Sequence, residues 1–418
     1  MGQIQTLGTS GAFLKQRYES EKVKTGYFRQ RKLLADIPKD TSMSGSAFQV
    51  DVKFAPMSTR AMNVPDALAV GGPDLYAAFN IPTVNRDYSI AQVSEAAFDA
   101  ASDDAGSMIK LKAQTLDGAY DTAYESVAIQ LWGNGGVLRG VLANTSYATK
   151  VATLTNTSDA KQFFSGMGVQ ASAAADDGTG GGGALNGGAI GYVTGVDYQA
   201  GTVTFNNHLS TIWGGSLATN SGFFMSTDYG KGFVGLGGWN PYTAPSATTF
   251  FGVDRTQNIV GLSGWRITGN GVSYEDSTTD LVAQMCSIGA LDDDSRRMYI
   301  NPIDWGQWAK TQNSKVIYDR GQVKSFSTPD LMFEALMFMT PNGPMPILTD
   351  VQCPQGYGRV VQLSRLKLMS QGAICRPAMG WSNMEWFPNY QDSVYQTRMV
   401  TSAFLKVLQP DCLGIVKF

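Results

Sequence analysis

Apolar and polar residues alternate without interruption from Phe48 to Phe54. Such alternation is typical of a strand with one apolar and one solvated face. A stretch rich in proline and glycine follows, and the chain returns through residues 84–90. The pattern predicts a projecting β-hairpin within residues 46–95.

A long amphipathic helix is predicted next, over residues 106–131. Its apolar residues recur at steps of three and four, which forms one continuous stripe on a helix. The stripe consists of Ile109, Ala113, Leu116, Tyr120, Ala123, Val127 and Leu131. Gly133 stands where such a helix would stop.

From residue 151 to about residue 229 the pattern changes to short β segments and loops. Residues 190–196 and 202–206 read as two strands of a hairpin. Residues 174–188 are almost entirely Ala, Asp and Gly, a composition that predicts a mobile loop without a core. We interpret this region as an inserted β domain.

The remainder alternates α and β. Residues 298–300 predict a short strand, and Asn301, Pro302 and Asp304 then form a strong helix start: a cap, a first-turn proline and an acid at the positive end of the helix dipole. Leu281, Val282, Met285 and Ile288 form a helical stripe. Residues 359–368 and 404–408 predict further strands.

Composition narrows the functional classes. The chain has 418 residues, 43% of them hydrophobic but only 16% charged, and a net charge of −3. So few charges favour a protein whose surfaces are covered by other subunits, although a neutral monomer with many polar loops fits as well. Residues 1–40 carry eight Lys or Arg against four Asp or Glu, a local excess that could face DNA or acidic neighbours.

Catalytic and metal-binding patterns are weak. His208 is the only histidine and lies in a turn-like context, and the four cysteines are widely spaced, which predicts free thiols. Gly178, Gly180 and Gly183 match GxGxxG but follow no hydrophobic strand. Asp292, Asp293 and Asp294 cannot all converge on one cation. We therefore predict no cofactor, no metal, no membrane span and no enzymatic activity.

The order of elements resembles the major capsid protein of tailed bacteriophages, a fold shared with herpesvirus capsid floors, in its subgroup with an inserted β domain. Local segments add to this resemblance: LTNTSDA at 154–160, FFGVDR at 250–255, MYINPIDW at 298–305, YGRVV at 357–361 and LKL at 366–368.

The resemblance implies an α+β fold with six regions: an N-terminal arm (1–45), an extended hairpin loop (46–95), a peripheral domain with the spine helix (96–150), an inserted β-rich domain (151–230), a mainly axial domain (231–390) and C-terminal strands (391–418). It implies pentamers and hexamers that form an icosahedral head around double-stranded DNA in the virion, assembled in the host cytoplasm. Because the hairpin begins by residue 46, a separate scaffolding protein is expected, together with a portal and a decoration protein. Contact with the DNA would be non-specific.

The hairpin is the expected site of contact between subunits, because its apolar strand face seems to lack a cover within one chain. Residues predicted to make this contact are Phe48, Val50, Val52, Lys53, Phe54, Arg60, Arg86 and Tyr88.

Two other classes of function stay open at this point. A β-rich tail or surface adhesin component would fit the glycine-rich insertion, but it predicts repeats and little long helix. A hydrolase using two carboxylates would need an acidic pair in one pocket, and the sequence favours no particular pair.

Overall fold

The computed structural model describes residues 31–43, 45, 47–57, 60–70, 72, 74–82, 86–96, 111–180, 182–246, 248–269, 272–313, 336–378, 387–389 and 393–418. Most of the predicted arm, residues 1–30, and the predicted start of the long helix, residues 106–110, lie outside this range. In chain order, the first elements are α1 (Lys32–Asp36), β1 (Lys39–Asp40), β2 (Ala47–Ala55), α2 (Val64–Val70), β3 (Leu75–Pro82), β4 (Asp87–Ser94) and α3 (Leu111–Trp132).

The hairpin is formed by β2 and β3, which pair antiparallel with Val50 opposite Phe79 and Phe48 opposite Ile81. The first strand was predicted correctly. The return through residues 84–90 is wrong, because β4 pairs along its whole length with a strand near the C-terminus, Val394–Thr401. Residues 87–94 also alternate in polarity, and only long-range pairing tells which sheet such a strand joins.

The long helix α3 is confirmed, and its buried side is the predicted stripe. Ala123, Val127 and Leu131 are buried, while Tyr120 and Leu116 are partly buried against neighbouring strands. The helix ends at Trp132, and the amide of Gly133 bonds back to the carbonyl of Ile129 at 3.1 Å. At about 1.5 Å per residue, its described part is roughly 33 Å long.

The inserted region forms a small β-barrel. Its elements are β5 (Gly140–Val141), β6 (Val151–Thr153), β7 (Gly168–Ala174), β8 (Gly191–Asp197), β9 (Thr202–Phe205), α4 (Leu209–Trp213) and β10 (Ser221–Met225). The strands lie in the order β5-β10-β7-β8-β9-β6, and an antiparallel bridge between Leu142 and Leu154 joins the two ends. The barrel has its own core, in which Phe205, Trp213 and Phe223 contact one another edge-on or tilted. The predicted hairpin is thus β8–β9.

Residues 174–188 do not behave as the predicted free loop. Tyr229 donates its hydroxyl hydrogen bond to Asp176 and accepts one from the amide of Gly183 at 3.1 Å. Asp177 accepts from the side chain of Asn134, just beyond α3. Its backbone passes so close to Gly136 that a Cβ there would meet the carbonyl oxygen of Asp177 at 1.8 Å. The first residues of the loop therefore fasten the barrel to the end of the long helix.

The rest of the chain builds a central sheet with helices beside it. Its elements are α5 (Leu236–Trp239), β11 (Thr249–Phe250), β12 (Val253–Asp254), α6 (Ile259–Ser263), β13 (Trp265–Thr268), α7 (Tyr274–Ser287), β14 (Arg296–Ile300), α8 (Pro302–Asn313), β15 (Leu336–Thr340), β16 (Gly343–Thr349), β17 (Tyr357–Gln362), β18 (Leu366–Ser370), β19 (Arg376–Pro377), β20 (Phe387–Asn389), β21 (Val394–Thr401), β22 (Ala403–Val407) and β23 (Leu413–Lys417).

The six-stranded central sheet is mixed, in the order β13-β23-β17-β14-β16-β15. Asn301 caps α8 as predicted, because its side chain accepts from the amide of Ile303 at 3.0 Å. The single strand predicted over 359–368 is two strands, β17 and β18, separated by a 3₁₀ turn at Leu363–Arg365. Ile288 does not continue the buried stripe of Leu281, Val282 and Met285, because α7 ends at Ser287 and Ile288 is half exposed.

The largest hydrophobic core joins distant parts of the chain. It contains α1, the inner face of the hairpin, the C-terminal half of α3 and the three-stranded sheet β1-β18-β22. The hairpin is thus anchored on the body of its own subunit.

Candidate subunit-contact surface on the hairpin

The inner strand face of the hairpin is covered within the chain. Val50 and Val52 retain only 3% and 5% of their exposure and lie in the large core. Phe79, on the partner strand, is fully buried, and its ring packs on Trp239 at 5.1 Å between centroids. The prediction that Val50 and Val52 need a neighbouring subunit to cover them is therefore wrong.

Phe48 and Phe54 are also held by their own chain, although less completely. The Phe48 ring lies 5.7 Å from that of Phe404, and the Lys406 ammonium stands 4.5 Å from the Phe48 centroid. At the other end of the strand, Asn258 donates to the carbonyl of Phe54 at 3.1 Å. For these two aromatic residues the structure brings only part of the side chain to the surface.

The exposed apolar residues of the hairpin are at its tip instead. They are Met57, Met62, Val64, Leu68, Leu75 and Tyr76, with Met62 95% and Leu68 81% exposed. We call this set the tip surface. Such a cluster of large apolar side chains in water marks a surface that meets another molecule.

A short helix, α2, organises the tip surface. Asn63 caps it by accepting from the amide of Asp66 at 2.9 Å, and Pro65 stands at its first turn. Val64 and Leu68, four residues apart, fall on one helical face. The sequence contained this signal, since Asn63, Pro65 and Asp66 form a start pattern, but the stretch read as an irregular proline- and glycine-rich loop.

Lys53 forms an ion pair at the base of the tip. Its Nζ lies 2.8 Å from Oδ2 of Asp74 and 6.0 Å from the centroid of the Tyr76 ring. The hydrogen bond to Asp74 raises the pKa of Lys53 and, from the other side, lowers that of Asp74. Lys53 is therefore held in its charged form and steadies the two strands where they leave the core.

Arg60, Arg86 and Tyr88 are all exposed, but they lie on different parts of the fold. Arg60 belongs to the tip, between β2 and α2. Arg86 and Tyr88 lie on or just before β4, in the sheet with β21. The structure does not bring the eight predicted residues into one surface, and contact through Lys53, Arg60, Arg86 and Tyr88 stays a prediction.

The candidate catalytic residues have structural surroundings. His208 is the exposed residue before the short helix α4. Asp292 accepts from Gln362, Asp293 from Ser295 and Ser364, and Asp294 contacts Arg296, so the three carboxylates point to separate partners. Within the described ranges, no three His, Cys, Asp or Glu residues are placed to share a metal ion. No helix in the described part of the chain has the length and apolar character to cross a membrane.

Buried acids serve the backbone. Asp350 accepts from the amides of Leu33 and Gln352 at 2.8 Å each, and Asp304 accepts from the amide of Gly356 at 2.7 Å. Burial raises the pKa of both carboxyls. Each carboxyl fixes a turn of the core.

The fold as a whole matches phage capsid structures. Neither a protein-family model nor a curated protein sequence matches the chain. Among solved structures, the chain is similar to the cyanophage A-1(L) capsid, with 10% identity, 99% of both chains covered and a TM-score of 0.59. It is also similar to the capsid of a native GTA particle, with 11% identity, 99% of this chain and 98% of that chain covered, and a TM-score of 0.51. The α+β capsid fold predicted from the sequence is thereby confirmed.

Proposed function

We propose that this chain is the major capsid subunit of a tailed bacteriophage, and that pentamers and hexamers of it form an icosahedral head around double-stranded DNA. One observation supports this most: the fold agrees with a phage capsid chain over 99% of both lengths. A match from end to end includes the hairpin, the long helix and the central sheet, and leaves no large unmatched region for an unrelated activity. In this role the protein is a structural subunit and not an enzyme.

The anatomy of the hairpin supports a role in assembly. Its base is anchored by Val50, Val52 and Phe79 in the core of its own subunit, while its tip carries Met62 and Leu68 into solvent. An arm of this kind is positioned before it meets a neighbour, so less conformational entropy is lost on contact. Repeated over many copies, a modest contact at each tip gives a stable shell through symmetry and multivalency.

Further partners follow from the same proposal. A separate scaffolding protein would guide assembly, a portal would occupy one vertex, and a decoration protein would bind the outside. The DNA would be contacted without sequence preference through lysine and arginine on the inner surface. Assembly would take place in the host cytoplasm, and the finished protein would reside in the virion.

Particle composition and morphology test the proposal. In purified particles that contain this chain, quantitative protein staining should show it as the most abundant protein, and electron microscopy should show closed shells of uniform diameter. The full-length protein, expressed with its scaffolding protein, should yield shells that sediment fast. Particles in which the chain is a minor species, or fibres and tubes in place of shells, would contradict the proposal and favour a tail or adhesin component.

A further inference from the structure

One outer face of the inserted barrel combines exposed side chains with a complete lack of charge. On β8, β9 and β6, the core-facing residues alternate with outward-facing ones. The outward set is Tyr192, Thr194, Thr202, Thr204, Val151 and Thr153, in which Tyr192 is 46% and Val151 38% exposed. We call this set the threonine face. Exposed Ile190 and Phe164 extend its apolar part beside Tyr192.

Backbone pairing is not available at this face, so contact must occur through side chains. The free side of β6 is closed by Asn144, whose side chain accepts from the amide of Thr153 at 2.5 Å and donates to the carbonyl of Val151 at 2.9 Å. The hydroxyl of Thr194 donates to the carbonyl of Thr204 across the strands at 3.2 Å. The face is therefore a rigid surface and not an open sheet edge that invites unspecific pairing.

The charges next to the face lie at its two ends and have opposite signs. Lys150 directly precedes β6, beside the end of β9, since the amide of Phe205 bonds to its carbonyl at 2.8 Å. Asp197 ends β8, opposite Thr202, at the other end of the same strands. Both residues are exposed. Thr204 lies between them, opposite Val151 on β6.

This arrangement is self-complementary. If two copies of the face meet about a two-fold axis, the lysine end of each lies beside the aspartate end of the other, and the uncharged middle meets itself without repulsion. A partner that approached with a single dominant charge would find no matching field on this surface.

We propose that the threonine face is a homotypic contact: it binds the same face of a second copy of this chain across a two-fold axis, with Lys150 beside Asp197 of the partner copy at both ends. The proposal rests on the capsid function, because a shell is what brings the barrels of neighbouring subunits together. It adds a second contact, independent of the hairpin tip.

The test places one charge at the middle of the face. Thr204→Lys and Thr204→Glu each bring like charges together in a homotypic contact, so shells made from either variant should dissociate at lower urea concentration than wild-type shells. Shells assembled from an equal mixture of the two should regain part of the lost stability, because opposite charges then meet in many of the pairs. Ser210→Lys and Ser210→Glu are the controls, since Ser210 is exposed on α4, which packs on the core side of the barrel; these variants should dissociate as wild type does.

Thermal unfolding of the unassembled subunits, followed by circular dichroism, separates loss of contact from loss of folding, and it should give the same midpoint for all variants. Equal shell stability for every variant would overturn the proposal. So would a loss of stability that the mixture does not relieve, because the face would then meet a different surface. Failure of the wild-type protein to form shells at all would instead refute the capsid function.

Discussion

The aromatic ring of Phe48 packs against that of Phe404, with 5.7 Å between the centroids. Phe48 begins the hairpin and Phe404 lies on a strand close to the C-terminus, so this contact fixes the projecting arm to the last part of the chain to be synthesised. The arm is therefore rigid at its base and presents only its tip to a neighbour. Predictions for the two ends of the hairpin consequently differ.

At the base of the hairpin, replacing Val50 and Val52 by Asp should unfold the subunit. Both side chains are buried in the core, and an unpaired charge placed there is strongly unfavourable. We expect a loss of more than about 3 kcal/mol in the free energy of unfolding, since large losses arise from buried unpaired charges. Urea unfolding followed by circular dichroism measures it. Gln49→Asp, on the exposed face of the same strand, is the matched control and should change little. A double variant as stable as wild type would show that the strand leaves the core.

At the tip, Val64→Asp combined with Leu68→Asp should leave folding intact and abolish shells. These side chains are 72% and 81% exposed, so a carboxylate in either place is solvated in the free subunit. In an assembled shell, the same carboxylates would lose that solvation against an apolar neighbour. Sedimentation should show the loss of fast particles while the urea midpoint of the free subunit stays unchanged.

The control for the tip is Asp66→Asn, which changes charge on the same helix without adding a carboxylate to the apolar face. It should still form shells. Normal shells from the Val64 and Leu68 double variant would mean that the tip surface is not an inter-subunit contact.

The sequence predicted local structure well, because the information is local. The strand at Phe48–Phe54, the helix stripe that ends at Leu131 and the Asn301 cap each depend on residue spacing within a few positions. The sequence could not show that Phe404 and Trp239 cover the hairpin, because nothing in the strand itself identifies a surface contributed by residues far along the chain. That is why the same alternation was interpreted as a contact between subunits.

Buried arginines were missed for a related reason. Arg359 is 6% exposed and donates to the carbonyls of Leu236 and Asn240 at 3.2 and 3.0 Å. A charged residue within a strand sequence predicts a solvated side chain, and only the tertiary fold supplies carbonyls in place of water. Burial accordingly lowers the pKa of Arg359 to about 10. In the candidate site, likewise, the composition of α2 was visible in the sequence but its exposure was not.

Stability should depend on pH through Asp159, on the 3₁₀ turn Thr157–Gln162 of the insertion. Burial raises the pKa of this carboxyl from 3.8 to about 6, against weaker opposing hydrogen bonds from Asn156 and Ser158. Between these two pH values the folded protein holds a proton that the unfolded chain has released, so this group lowers stability as pH rises from about 4 to 6. Asp159→Asn stays neutral and should remove that contribution.

The measurement compares urea unfolding of wild type and Asp159→Asn from pH 4 to pH 7. The two should be equally stable near pH 4, where the carboxyl is protonated in both states. At pH 7 the variant should be more stable by about 1–2 kcal/mol. A gap that does not change with pH would show that the substitution acts through packing and not through the proton.

The glycine-rich loop should tolerate shortening only beyond its first residues. Tyr229 holds Asp176 and Gly183, and Asp177 holds Asn134 next to the long helix, whereas Gly180 contacts little. Deleting residues 179–182 should therefore leave the unfolding midpoint and shell yield close to wild type. Tyr229→Phe should instead cost about 1 kcal/mol, because the carboxylate of Asp176 loses its donor and the amide of Gly183 its acceptor. Tyr192→Phe is the control in the same barrel, since it removes an exposed hydroxyl. If the deletion destabilises the subunit more than Tyr229→Phe does, the middle of the loop, and not its anchored start, fastens the barrel to the helix.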